Sequence, residues 1–545
     1  MTTRTRSIQD VAAELGLDPQ AVTTLGSTKA KLDPHTAPAA GAGQDGALVL
    51  VSAIGPTRFG EGKTTISIGL ADGLRRVGAR ACLALREPSL GPVFGMKGGG
   101  TGGGRAQVVP ADDINLHFTG DLHAIGSAHN LLAAMIDTEL HFGARDGRTA
   151  SGVDPAQVTW PRVLDMNDRA LRSVVLDAGG RAQRSSRFDI TAASEVMATL
   201  ALADSLDDLR VRLARTVVGW REDGSPVTTD DVVATEAMVA LLREALRPNL
   251  VQSADGTPAL VHCGPFANIA HGCSSVLATR LALRHAEVVV TEAGFGFDLG
   301  GEKFLHLKAP QAGVWPRCVV LVTTVRALAH HGEGDLERGL AHLDRQVANV
   351  RSFGLPVVLA LNVFADDAEG DLVMIEERAR ELDAAAARCT AFAEGGSGGV
   401  ALAAAVREQL RLTADDPPRP RALYEPGADV TTKLRTLAQR VYGARDVAFS
   451  ERARADLERI TAAGFGQLPV CVAKTHLSFT DDPKGGGLAT DFTPTVTEVR
   501  LAAGAGFVVA LMGRIFTMPG LPRVPAARNV RVEASGRVRG LMQGG

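Results

Sequence analysis

Short apolar runs recur along the chain, each followed by a helix-length stretch of mixed polarity. The first, Ala47–Ala53, is apolar at nearly every position, the pattern of a strand buried on both faces. Ile66, Leu70, Leu74 and Val77 then share one face, which predicts a helix ended by Gly78. A second run, Ala81–Leu85, closes on Arg86, Glu87 and Pro88. Further runs at Ala259–Val261, Val288–Thr291, Cys318–Thr323 and Pro356–Asn362 predict buried strands, with shorter candidates at 163–166 and 174–176. Helical patterns occupy 130–140, 194–215, 231–246, 366–411 (broken at Glu394–Gly399) and 430–464. Ser7 and Asp10 resemble a capping box opening a short helix to about Leu15, and 17–46 reads as irregular approach. The C-terminal part has strand-like runs at Pro469–Ala473 and Phe507–Leu511 around a loop at 481–487. Strands alternating with helices predict an α/β fold, a mostly parallel sheet domain wrapped by helices.

With 545 residues, the chain should divide into about two to four domains. The expected division is 1–355, 356–445 and 446–545, with the two smaller C-terminal units also α/β. The clearest linker signal is the Pro-rich 415–426. Hydrophobic content of 45% and charged content of 22% are those of an ordinary globular protein. The net charge of −3 offers no global basic field for nucleic acid. The N-terminus lacks the apolar segment of a signal peptide, and no run is long enough to span a membrane. Six dispersed cysteines without a Cys-x-x-Cys pair predict a reduced, cytoplasmic setting. His262-Cys263 and His271-x-Cys273 hold metal-ligand residue types, but small buried cysteines are the plainer reading.

The candidate chemistry begins between the first strand and its helix. Residues 55–65 form a Gly-rich turn at a helix N-terminus, where backbone N–H groups make a donor nest for a polyphosphate. Thr57, Arg58, Phe59, Gly60, Glu61, Gly62, Lys63, Thr64 and Thr65 are the nucleotide-binding candidates. Lys63 would reach the outer phosphates and the Thr64 hydroxyl would suit Mg²⁺. The usual motif has glycine six residues before the lysine; here Thr57 stands there. Arg86, at the end of the second strand, suits bidentate binding of a carboxylate or phosphate, and Glu87 would pair with it or position a metal ion or water. A glycine run at 91–104 is either a linker or a loop pressed on a ligand. Its place beyond a strand's carboxyl end favours the ligand loop. The segment 291–304 combines Glu292, Asp298 and Glu302 with Phe295, Phe297 and Phe304: carboxylates for Mg²⁺ and aromatics for a flat ligand.

Longer motifs carry a resemblance. Gly60–Thr65, Arg86–Val93, Asp113–Asp121, Gly264–Gly272, Thr291–Phe295 and Met518–Pro522 resemble the formate–tetrahydrofolate ligases, from about Ile8 to the C-terminus. The resemblance implies an ATP-dependent ligase joining formate to N10 of tetrahydrofolate through formyl phosphate, with ADP and phosphate as the other products. It implies Lys63 and Thr64 on the phosphates and metal and Arg86 on formyl phosphate; Glu292, from its place at a strand end, is a further metal candidate. The glycine loop from Gly98 and Gly99 would line the site, with Phe304, Phe364 and Phe392 against the pterin. It further implies a homotetramer, a K⁺ or NH₄⁺ activator and a folate with or without a polyglutamate tail. The chain departs from the family at Arg58-Phe59, where Pro-Ala is usual. Phe297 stands where a smaller residue is expected. Phe392 and Glu394 replace Trp and Lys. Exchanging indole for phenyl should weaken stacking by roughly 0.5–1.5 kcal/mol. Two other readings stand beside the ligase: a regulatory phosphate-loop ATPase or GTPase switch, and a folate- or nucleotide-binding homologue that has lost turnover.

Overall fold

The computed structural model describes residues 5–34, 46–55, 57, 60–95, 99–177, 183–483, 488–513, 515–536 and 538–541. Ten strands form the spine of a large sheet. In chain order they are β1 (Val22–Leu25), β2 (Lys29–Leu32), β3 (Ala47–Ala53), β4 (Ala81–Leu85), β5 (Asn249–Ser253), β6 (Pro258–Val261), β7 (Val288–Glu292), β8 (Cys318–Thr323), β9 (Val357–Asn362) and β10 (Ala385–Cys389). Across the sheet the order is β1-β2-β5-β6-β4-β7-β3-β8-β9-β10. From β6 to β10 every neighbouring pair is parallel, while β1, β2, β5 and β6 pair antiparallel at the other edge.

Strand alternation explains why the central runs are apolar throughout. Leu48 and Leu50 enter one core cluster and Val49 and Val51 the other, all 1% exposed or less. The helix Lys63–Arg76 covers the second face with Ile66, Leu70 and Leu74. Helices Val276–His285 and Leu336–Ser352 cover the first. Hydrophobic burial on both sides of one sheet is the main driving force here.

Several elements depart from the expected pattern. Residues 17–46 are not all irregular: Pro19–Ala21 is a 3-10 turn, and β1 and β2 form a hairpin at the sheet edge. The exposed Thr positions of β1 suit an edge strand, while in β2 the buried Lys31, paired with Asp121, breaks the apolar pattern of Ala30 and Leu32. Within 91–104, Leu90–Phe94 is a short helix and Gly102–Gly103 pairs with Ala106–Val109. The 194–215 helix is two helices, Glu195–Leu202 and Leu206–Ala214, because Ser205 caps the second by accepting from the Asp208 N–H. Ala385–Cys389, expected within a helix, is β10.

The segment 356–445 contributes β9 and β10 to the main sheet, so the sheet runs past the boundary expected at 355. The C-terminal part has a sheet of its own, β11 (Ala448–Phe449), β12 (Val470–Ala473), β13 (Thr495–Ala502) and β14 (Phe507–Met512), in the order β11-β13-β14-β12. Among the described residues, no helix is long and apolar enough to cross a membrane.

Candidate functional site

Parallel strands deliver their following loops to one edge of a sheet. Here that edge gathers Glu61 and Lys63 after β3, Arg86 after β4 and Glu292 at the end of β7, with Thr324 after β8 and Asn362 closing β9. Phe364 and Phe392 follow β9 and β10.

Gly62 precedes the helix Lys63–Arg76 in the left-handed region, φ +71, with no side-chain cap. A Cβ there would stand 2.6 Å from Asn362 Nδ2, so the position needs glycine on both counts. Glu61 braces the turn from within. Its Oε1 accepts from the Thr57 N–H at 2.8 Å, and its Oε2 from the Thr324 hydroxyl at 3.1 Å. Asn362 donates to the Glu61 carbonyl at 3.2 Å. Thr65 is buried beneath the turn. Arg58, Phe59 and Gly98 lie outside the described residues.

Lys63 opens the helix, half-buried. Burial lowers its ammonium pKa, Arg86 adds to that, and the carboxylates of Glu61 and Glu292 oppose it. The Thr64 hydroxyl donates to Glu292 Oε2 at 2.8 Å. Arg86 Nη2 lies 3.6 Å from Glu292 Oε1, and Nη1 reaches the Pro265 carbonyl at 3.5 Å. Arg86 Nε is buried without a partner. Lys63, Thr64 and Arg86 are thus brought together around Glu292, which is 4% exposed.

Glu87 does not join them. Chain neighbours leaving a strand project to opposite sides, and Glu87 sits on the far side from Arg86. It is buried, with Oε2 unpartnered. Burial first, then the charges of Asp121 and Asp165, push its carboxyl well above the ordinary range, against the pull of Lys31. Among the described residues, Arg86 finds its carboxylate partner in Glu292 and not in Glu87.

The aromatic candidates separate as well. Phe304 is 1% exposed within the core, with Lys308 Nζ 4.9 Å from its ring centroid. It packs the interior and presents no face to a pterin, because the segment after β7 turns inward as helix. Phe297 is buried against Phe353. Phe364 is half-buried, with the Arg326 guanidinium 4.6 Å from its ring. Phe392 is 42% exposed, and its carbonyl accepts from the Arg105 N–H at 2.8 Å, tying it to the glycine-run ribbon. The Gly99 N–H donates to the Leu541 carbonyl at 2.6 Å, so it is already engaged. Glu394 accepts from the Thr390 hydroxyl at 2.8 Å.

Among the described residues, no group of three or more His, Cys, Asp or Glu is placed to hold a metal ion. His262 is engaged with Ser275 and the Ala245 carbonyl, both at 2.7 Å. Thr64 and Glu292 are two hard oxygen donors, the protein share expected of a Mg²⁺ ion that takes its remaining ligands from phosphates and water. Thr324 and Asn362 were not among the expected site residues. Their signal was their place at the carboxyl ends of β8 and β9.

The profile of one family, described as formate–tetrahydrofolate ligase, matches residues 1–542. Curated proteins of that name are similar over nearly the whole chain. The one from Myxococcus xanthus is 55% identical over 553 residues, covering 99% of both chains. That from Acidiphilium cryptum is 52% identical over 555 residues, 99% of this chain and 98% of its own. That from Symbiobacterium thermophilum is 50% identical over 553 residues, again 99% and 98%. With a family profile spanning the sequence end to end and half or more of the residues shared with such relatives, the chain belongs to the formate–tetrahydrofolate ligase family.

Proposed function

We propose that this ligase joins formate to N10 of tetrahydrofolate at the edge where Lys63, Thr64, Arg86 and Glu292 meet. That convergence carries the reading. Formate's own oxygen is a poor leaving group, so the carboxylate must first be activated. A formate oxygen attacks the γ-phosphorus of ATP, the bond to the bridging oxygen breaks, and ADP leaves with that electron pair. N10 then attacks the formyl carbon and the carbon–oxygen bond to phosphate breaks. The N10 proton ends on the departing phosphate. Both steps need positioning and charge neutralisation more than covalent help.

Lys63 and Arg86 supply positive charge from two strand ends, and the half-buried setting strengthens their pull on phosphoryl oxygens. Thr64 and Glu292 would hold Mg²⁺, which when bound neutralises charge on the β- and γ-phosphates. Among the described candidates, Phe364, Phe392 and the half-buried Phe295 are the aromatic surfaces available to the pterin. A homotetramer and activation by K⁺ or NH₄⁺ follow from the family resemblance.

ADP release measured with each substrate withheld in turn tests the reading. ADP formation that depends on both formate and tetrahydrofolate is expected. Unconditional hydrolysis would mark a nucleotide switch instead, and silence with retained ligand binding would mark a homologue without turnover.

A further inference from the structure

The loop after β12 belongs to the C-terminal sheet, yet it packs beneath the nucleotide turn. Lys474 is 1% exposed. Its ammonium lies 3.3 Å from Asp298 Oδ2 and donates to the carbonyls of Ser478 and Thr475 at 2.5 and 3.2 Å. Asp298 Oδ1 accepts from Gln346 Nε2 at 3.0 Å, and the same nitrogen donates to the Ile54 carbonyl at 2.7 Å. His342 Nε2 donates to that carbonyl as well, at 2.6 Å. Ile54 is the residue between β3 and the nucleotide turn.

The packing around this relay is closed. His342 stacks on His331, with centroids 3.8 Å apart and planes 3° from parallel, and Phe479 covers it at 4.7 Å. Burial holds both imidazoles neutral, His331 down to about 3. Gly55 has φ +155, and a Cβ there would stand 2.9 Å from His331 Nε2. From the same C-terminal loop, His476 stacks on Phe295 at 4.5 Å. A buried ion pair adds little stability over apolar packing, because desolvation offsets the attraction. What Lys474 and Asp298 supply is direction.

We propose that Lys474 is a positioning residue for the nucleotide: through Asp298 and Gln346 it fixes the Ile54 carbonyl, and with it the backbone path into the turn that takes the phosphates of ATP. The inference rests on residues 57–65 being the ATP-binding turn. The C-terminal unit thereby acts on the site through the backbone of Ile54.

Steady-state kinetics of the full-length enzyme test it. Lys474→Met keeps the bulk and removes the charge. It should raise KM for ATP roughly tenfold, the scale of a weakened hydrogen bond to the turn. KM for tetrahydrofolate and kcat should stay within about threefold. Gln346→Met, which leaves the ion pair in place, should show the same split and carries the test if Lys474→Met fails to fold. The double variant Lys474→Met/Asp298→Asn removes both charges; it should regain melting temperature while KM for ATP stays high. A double variant normal in both respects would reveal a purely structural pair and overturn the proposal. So would folded single variants in which all KM values rise equally or KM for ATP does not move. Lys63→Ala separates the two layers: no effect on ATP kinetics sinks the reading of the turn, whereas lost turnover beside an inert Lys474→Met sinks the relay alone.

Discussion

At the scale of single residues, Lys63 and Arg86 bring two positive charges to one buried carboxylate, Glu292. On the proposed reading, an arriving phosphoryl group would meet donors already in place. Lys63→Ala should lower kcat by about a hundredfold or more. Arg86→Lys, which loses the planar fork, should lower kcat/KM for formate by at least about tenfold. Stopped-flow ADP release checks both, and a fully active Lys63→Ala enzyme would remove the lysine from the chemistry. Phe392→Trp should lower KM for tetrahydrofolate by about two- to tenfold if the exposed ring stacks on the pterin; an unchanged KM counts against that role. Asp72 offers a test in pH. It is 2% exposed, and burial raises its carboxyl from 3.8 to about 6, against hydroxyl donors from Ser253 and Thr257. A raised folded pKa means the contribution is fully present below about pH 4 and lost as pH rises through about 6, an effect on the order of 3 kcal/mol. Urea midpoints from pH 4 to 7 should therefore show Asp72→Asn gaining on the parent as pH rises. Parallel pH profiles would refute it.

At the scale of elements, the helix Lys63–Arg76 does two jobs. One end carries Lys63 and Thr64, the residues proposed for the phosphates, and its flank packs on the segment 391–399. Contact there is backbone to backbone: a Cβ on Gly73 would stand 2.6 Å from the Gly399 carbonyl. Gly73→Ala should cost about 1–3 kcal/mol by overpacking. It should also raise KM for tetrahydrofolate more than for ATP, because Phe392 rides on the displaced segment; equal changes would argue that the contact is structural only. Elements written as continuous apolar runs were legible in the sequence, β3, β4, β7, β8 and β9 among them. β10 was not, because Ala385–Ala387 are helix formers by propensity and only pairing with β9 makes them a strand. The β1–β2 hairpin escaped for a related reason: β1 is a mostly exposed edge strand, and in β2 the buried Lys31 interrupts the apolar pair Ala30 and Leu32.

At the scale of the molecule, motif residues were legible because their spacing is local, while the contacts that organise them are not. Lys63, Thr64 and Arg86 could be named from the chain. Glu87 and Phe304 could not be sorted from them, because burial is set by partners distant in sequence. The same holds for the seam between the C-terminal sheet and the helices and loop beside the main sheet. Cys471, Ala473, Phe507, Val509 and Leu511 share one apolar cluster with Ala198, Leu202, Ile269, Val276 and Leu307. The Gly504 N–H donates to Glu195 at 2.7 Å. A seam this apolar should make the two sheets unfold together rather than in turn. ATP would then stabilise both, by about 2.7 kcal/mol at a hundredfold excess over its Kd. Hydrogen exchange read by mass spectrometry gives the comparison directly. Peptides from Val470–Ala473 should gain protection on adding ATP, to the same extent as peptides from Cys318–Thr323. Protection confined to the main sheet would mean that the C-terminal unit opens on its own, and that the contacts at Lys474 and Glu195 are too weak to bind its fate to the nucleotide site.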